Sequence, residues 1–463
     1  MWRLGLLLLC ASATSDAEVQ RSVFHTARHD VAHDSVINLG TKFVFAFTNS
    51  HINPNDTTST ELLTVIVTNP NPVAAEVSIS SIRSGWTAPP KQTVPAKSSV
   101  TIEISPSDMQ TGFGFQKPVG VVVEDKGLFL EASAPVSDKG LFLEASAPVS
   151  VLTENQHTDG GSSDMFTVFP VCNLGTQYKA VGDLALSEKT NLYTIVATED
   201  DTHVTFAHRG ATVTKKLKRL QTVTFLSVDI PTTNNPISAD KTIAVISGAV
   251  CGFGYLQVKS PCNEEALMLL PVGAWGRTYP FAPFFGQPKS EVVSLPWENG
   301  TVVSFGDSSE TLQNASYRVW KTESALFEAS APVDMVAVGG TTRPDYMGAP
   351  FFTHVPAVEQ FLEGSVTVHT GIALHAQSAP THFVRVIQHL WDLDSVSIDG
   401  WPISGLIYTR IGRTDYFYVD YPVEKGKHTV VGSKKFGCLV YGYGEFVGYA
   451  YVPGLHLPSS GTC

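Results

Sequence analysis

Basic residues are sparse and form no long blocks: 31 Lys and Arg stand against 43 Asp and Glu in 463 residues, a formal charge of −12. Nucleic acid and anionic membrane surfaces need clustered positive charge, so neither is an expected partner. No stretch approaches the roughly 20 consecutive apolar residues of a membrane-spanning helix, so no membrane insertion is expected. Helical periodicity is nearly absent; the best short candidate, 264–270, runs directly into Pro271. Common catalytic signatures are missing as well, with no HExxH, P-loop, GxSxG, CxxC or GxGxxG. These absences point away from an enzyme, and no metal or other cofactor is expected.

Histidine, a common catalytic type, occurs 14 times. His203 and His208 flank a strand-like run, and His375, His382 and His389 lie in or beside apolar runs, where structural roles are the expectation. His25, His29 and His33 would share one face of a helix and could offer zinc ligands, but a solvated leader over 14–40 is the simpler reading. The run DLDSVSIDG at 392–400 lacks the spacing and closing Glu of a calcium loop. It reads instead as a strand ending in an Asp399-Gly400 hairpin turn.

At the N-terminus, Met1-Trp2-Arg3, an apolar segment over 4–10 and Ala11-Ser12-Ala13 make the pattern of a secretory signal cleaved after Ala13. A secreted, extracellular protein is expected, and the sequons at Asn55, Asn299 and Asn314 then become glycosylation candidates. Once Cys10 leaves with the signal, the cysteines are Cys172, Cys251, Cys262, Cys438 and Cys463, an odd number. Cys251 and Cys262 enclose a short loop with Gly252, Gly254 and Pro261, which closes easily as a disulfide. Pairing Cys172 with Cys438 leaves Cys463 over for a covalent partner.

From position 41 the apolar period becomes two. KFVFAFT at 42–48, LLTVIVT at 62–68, AEVSIS at 75–80 and SSVTIEI at 98–104 alternate apolar with polar residues, the mark of strands with one buried face. One phrase recurs: GLFLEASAPVSVL at 140–152, an identical copy at 127–136, ALFEASAPVDMVAV at 325–338, and looser echoes at 237–246 and 374–386. A 13-residue block at 125–137 is repeated unchanged at 138–150, which points to a recent duplication or a gene-model artefact. Thirteen is odd, so inside a ladder it would exchange buried and exposed faces. One copy is therefore expected to occupy the core, the second, because only it continues into Val151-Leu152. The phrase reads as the closing strand of each unit, and the steps before Pro170, Pro271 and Pro356 as the start of the next. The fold class is all-β: tandem β-sandwich-like modules, or a propeller-like closed assembly of β units as the alternative. The expected modules are 41–152, 153–248, 249–340 and 341–455, with a tail over 456–463.

At 251–279, CGFGYLQVKSPCNEEALMLLPVGAWGRTY resembles the IgGFc-binding protein N-terminal domain family in Cys251, Cys262, Glu264, Leu270, Pro271, Trp275 and Gly276. The Ala-Pro-Val phrases and the Tyr-rich stretch at 441–454 extend the resemblance over roughly 40–454. It implies a secreted, non-enzymatic binding or adhesion domain that recognises an extracellular protein or glycan through loops on a β scaffold. It supplies no motif that places Fc binding on particular residues. The alternative is a structural mucus or extracellular-matrix component linked through disulfides.

Overall fold

The alternating segments pair as antiparallel strands throughout a computed structural model that describes residues 38–463 except 51–60, 112–119, 134–146, 158–161, 183–189, 209, 229–230, 253–262, 341–347, 372–380, 404, 445–446 and 462. The signal segment, the histidine leader, Asn55, Cys262 and His375 lie outside the described residues. AEVSIS shows how pattern becomes structure: Ala75, Val77 and Ile79 are buried while Ser78 and Ser80 face solvent.

Three sheets share one pairing plan built on a long, bent strand. In the sequence-order third group that strand is Ala325–Gly339. Its first half pairs with Thr301–Phe305 and Gly276–Phe281, and its second half with Ser290–Pro296 and Phe351–His354. Pro236–Gly252 and Gly426–Gly444 play the same part in the second and fourth groups. The recurring phrase is thus the middle strand of its sheet rather than a closing one, which explains its apolar weight. The fourth group departs from the phrase: its long strand carries no copy, and the echo at 374–386 falls partly outside the described residues and partly in the neighbouring strand Thr381–His389.

The first group splits the long strand into Leu128–Ser133 and Ser150–His157, which lie in separate sheets. Here the expectation about the duplicated block needs correction. The first copy supplies the leading half, pairing with Lys42–Phe45 and Ala75–Ser80, and the second copy supplies only its trailing end. Leu128, Leu130, Ala147 and Val149 are buried, as are their counterparts Ala325, Phe327, Ala331 and Val333 in the third group. The described strands on either side of 134–146 thus lie in separate sheets. An odd insertion there leaves both registers intact.

Each long strand turns back into a short inner strand: Ser163–Val168, Asn263–Met268, Phe351–His354 and Val447–Tyr451. The first packs on the second and the fourth, and the third packs on the same two, so the four inner strands close a ring. All four are buried along their length. This also corrects the helical candidate at 264–270: NEEALM is a strand covered on both faces, and such a strand loses the alternation that would reveal it. The Pro170, Pro271 and Pro356 steps follow the inner strands and end each group. The fold is all-β and built of several β groups, as the sequence predicts, with a ring of inner strands at their centre; one large apolar cluster spans Phe43 to Leu457 in sequence and a separate one around Val366, Val386 and Val430 fills the fourth group.

The C-terminal segment completes the closure. Thr167 Oγ1 donates to the Val452 carbonyl (2.5 Å), Asn173 Nδ2 to that of Pro458 (2.9 Å) and the Thr41 N–H to that of Cys463 (2.7 Å). Cys172 is disulfide-bonded to Cys463, not to Cys438. Sequence spacing gave no access to this pairing, because the tail reaches Cys172 only after the chain has travelled around the ring. Cys438 is the free thiol among the described residues, 1% exposed, and burial pushes its pKa up. Cys251 is disulfide-bonded.

Candidate functional site

The axis of the ring is polar at one end. Asn263, fully buried, opens the second inner strand; its Nδ2 faces the carbonyls of Ser163 (3.0 Å), Pro350 (2.8 Å) and Gly448 (3.0 Å), one from each other group. Its Oδ1 accepts from the Ser163 N–H (2.9 Å) and the Ser162 hydroxyl (3.1 Å). Asp164 lies beside it, accepting the Met165 and Ala266 N–H groups at 2.8 Å each. Complete burial nonetheless raises the Asp164 pKa well above the carboxylate range.

Beyond Asp164 lies a buried set made of Thr48, Ser50, Glu61, Gln110, Asn155, His157 and Glu264. Ser50 Oγ touches His157 Nε2 (2.7 Å) and donates to Glu61 Oε1; Glu61 Oε1 lies 4.0 Å from the same Nε2. These are the three side-chain types of a hydrolytic triad, but their order is wrong. One imidazole nitrogen faces both partners, whereas a triad needs the acid on the opposite nitrogen. All three are also closed off from solvent. Among the described residues, no group of three or more His, Cys, Asp or Glu has the spacing of a metal site.

The surface is different along 390–407 of the fourth group. Trp391 is 83% exposed, Trp401 73% and Ile407 92%, with Leu390 and Leu406 also exposed, all within 390–407. The other exposed large apolar residues come from scattered segments. Large apolar side chains exposed this close together in sequence are unusual on a protein surface. Gln388, fully buried, positions the edge: its Nε2 donates to the Asp392 carbonyl (2.5 Å) and Ser395 Oγ (2.7 Å), and its Oε1 accepts from Tyr408 (3.2 Å). Ile403 and Ile411 anchor the segment by burial. The Asp399-Gly400 turn forms as the sequence predicts, with φ of 51° and 80°, and it carries Trp401 at its exit.

An open cleft of about 290 Å³ lies beside the Cys172–Cys463 bond, lined in part by Lys42, Thr198, Glu199 and Ser460. Three of the histidines flagged in the sequence have hydrogen-bond partners: His203 pairs with Asp240 (2.8 Å), His382 with the Tyr449 hydroxyl (2.8 Å), and His389 accepts from the Trp391 N–H (3.4 Å), while His208 packs its ring edge-on against Phe225. Burial lowers the His382 pKa to about 4. Trp275, singled out by resemblance, donates to the Leu270 carbonyl (3.1 Å) and so shapes the turn after the second inner strand. The Asn299 side chain is exposed and accepts the Asn314 N–H (2.9 Å), which brings these two sequons together. Asn263, Gln388, Trp391 and Trp401 carried no motif; only the placement of Trp401 directly after a turn marked it.

A family model described as IgGFc binding protein matches residues 164–442, more than half of the chain. No curated protein matches it. Among solved structures, a point mutant of the major pilin from Streptococcus pyogenes aligns over 68% of this chain and 98% of that one, at 12% identity and a TM-score of 0.13, a likeness too slight to carry an argument.

Proposed function

This chain belongs to the IgGFc-binding protein family, and on that premise we propose that it is a secreted, non-enzymatic protein that binds an extracellular protein partner through the outer edge of its fourth β group. The family is a binding family whose proteins are typically extracellular. The observation that carries the reading is the exposure of Trp391, Trp401 and Ile407 on a segment held by the buried Gln388. Large apolar side chains on a pre-ordered segment bind with little entropic loss. A glycan would find the same indole faces, but Ile407, Leu406 and Leu390 between them favour a protein surface.

Secretion through the 1–13 signal, glycosylation at Asn55, Asn299 and Asn314, the Cys251–Cys262 bond and a division into four β modules belong to the same proposal. The rival, a matrix component joined through an unpaired cysteine, needs an available thiol. Cys463 is already bonded and Cys438 is in the core, so the described residues favour recognition over covalent assembly. The test is binding of the purified chain to immunoglobulin Fc and to proteins fractionated from extracellular fluid. Saturable binding to one protein supports the reading; a disulfide-linked multimer that binds none would replace it with the rival.

A further inference from the structure

His428, in the long strand Gly426–Gly444, holds the turn that carries Trp401. Its Nδ1 faces Asp399 Oδ2 at 2.7 Å and its Nε2 faces the Glu424 carbonyl at 2.8 Å. A carbonyl oxygen and an ionised carboxylate only accept hydrogen bonds, and a neutral imidazole carries a single N–H. Only the imidazolium makes both contacts. In the neutral ring one nitrogen turns a lone pair toward an oxygen, so one contact becomes repulsive whichever tautomer forms.

Both acceptors are fixed by other bonds. Asp399 Oδ1 accepts the Thr429 N–H (2.8 Å), and the Asp399 N–H donates to the Thr429 carbonyl (2.8 Å). The Glu424 carbonyl also accepts the Thr370 hydroxyl (2.7 Å). The His428 side chain is 12% exposed and that of Asp399 44%, so the ring is largely shielded and the pair is screened less than one in open solvent. The ionisable groups around the ring are Lys427 beside it, Glu424 and Lys425 in the preceding turn, His369 opposite Lys427, and His382 on the neighbouring strand. Burial lowers the pKa of His369 and of His382 to about 4, with the positive charge of His428 adding to the effect, so both are largely neutral above about pH 5.

We propose that protonation of His428 stiffens the recognition segment, so that the partner is held more tightly in mildly acidic surroundings than in neutral ones. The inference rests on the reading of 390–407 as the binding surface. Trp401 leaves the Asp399-Gly400 turn directly and pairs back on Ile398. A charge-assisted bond is roughly twice as strong as a neutral one, and a turn docked by it presents the indole already ordered. Histidine is the side chain whose charge changes between about pH 5 and 8. The docking is complete on the acid side of that interval and loses one contact as pH rises through it.

The experiment needs no partner, so it can fail while recognition through this segment stands, and recognition can fail while it succeeds. Hydrogen exchange of 396–403 is followed in the full chain at about pH 5.5 and about pH 7.5, each corrected for the intrinsic exchange rate. Protection should be about 10-fold higher at the lower pH. His428→Gln and Asp399→Asn should each abolish the difference; asparagine tolerates the left-handed position of the turn, which keeps the second variant foldable should the first fail. His203→Gln, which removes a His–Asp pair in the second group, should keep the difference. Protection in the parent that is equal at the two pH values, or lower at the acid one, would overturn the proposal. So would a difference that survives both substitutions in folded variants; were neither variant to fold, the parent comparison decides alone.

Discussion

Asn263 Nδ2 lies 3.0 Å from the Gly448 carbonyl, joining inner strands whose contact residues are 185 positions apart. The same amide serves Ser163 and Pro350, so one side chain ties four β groups at their axis. Asn263→Ala would leave several buried carbonyls and the Ser163 N–H without partners, at about 1–3 kcal/mol for each group that water cannot reach. We expect a loss of at least about 3 kcal/mol in urea unfolding. A loss below about 1 kcal/mol would show that the groups hold together without this hub.

The Cys172–Cys463 bond closes a separation of 291 positions. Its removal by Cys463→Ser should cost roughly 2–4 kcal/mol and free the tail, read as faster hydrogen exchange over 452–463. Peptide mapping without reduction should recover the Cys172 peptide joined to the C-terminal one. Recovery of Cys172 joined to Cys438 would contradict the closure described here.

Burial raises the Glu154 pKa from 4.5 to about 8. The folded chain holds a proton that the unfolded chain releases, so this contribution to stability is full below about pH 4.5 and is lost as pH rises through about 8. In urea unfolding, stability should fall between pH 5 and 8 by up to about 1.4 kcal/mol per unit for this group, and Glu154→Gln should flatten that slope. An unchanged slope in the variant would assign the dependence elsewhere, Asp164 being the next candidate.

Arg385 is fully buried, forks onto Asp420 (2.7 and 2.8 Å) and donates to the Ala282 and Pro283 carbonyls of the third group (2.5 Å each). Arg385→Ala strands a buried carboxylate and should cost about 3–5 kcal/mol. Arg385→Lys keeps the charge without the fork and should fall between the two. Equal stability of the Ala and Lys variants would show that charge and fork contribute nothing separately.

The strands were readable because each half-buried face leaves a period of two, as in AEVSIS and SSVTIEI. The inner strands hid for the opposite reason: NEEALM and VGYAY are buried on every side, so burial erased the alternation. The ring itself lies in contacts between strands that start from 88 to 284 residues apart, which no local pattern encodes. The Asp399-Gly400 turn was legible from its own residues, since Asp-Gly at two positive-φ positions is a local requirement. Cys172 and Cys463 were not, because their meeting depends on the completed ring. Asn263 looks like any polar residue after a cysteine until three carbonyls are placed around it.

Recognition through the fourth group is tested most directly by the affinity of one identified extracellular partner for the parent chain and for a Trp391→Ala, Trp401→Ala double variant, with Val73→Ala and Val302→Ala as exposed apolar controls in the first and third groups. With unchanged circular dichroism and thermal midpoint, the double variant should bind at least about 30-fold more weakly, as expected for loss of two aromatic anchors, and the controls should bind as the parent does. Equal affinity of the parent and the double variant would contradict the assignment of binding to this edge.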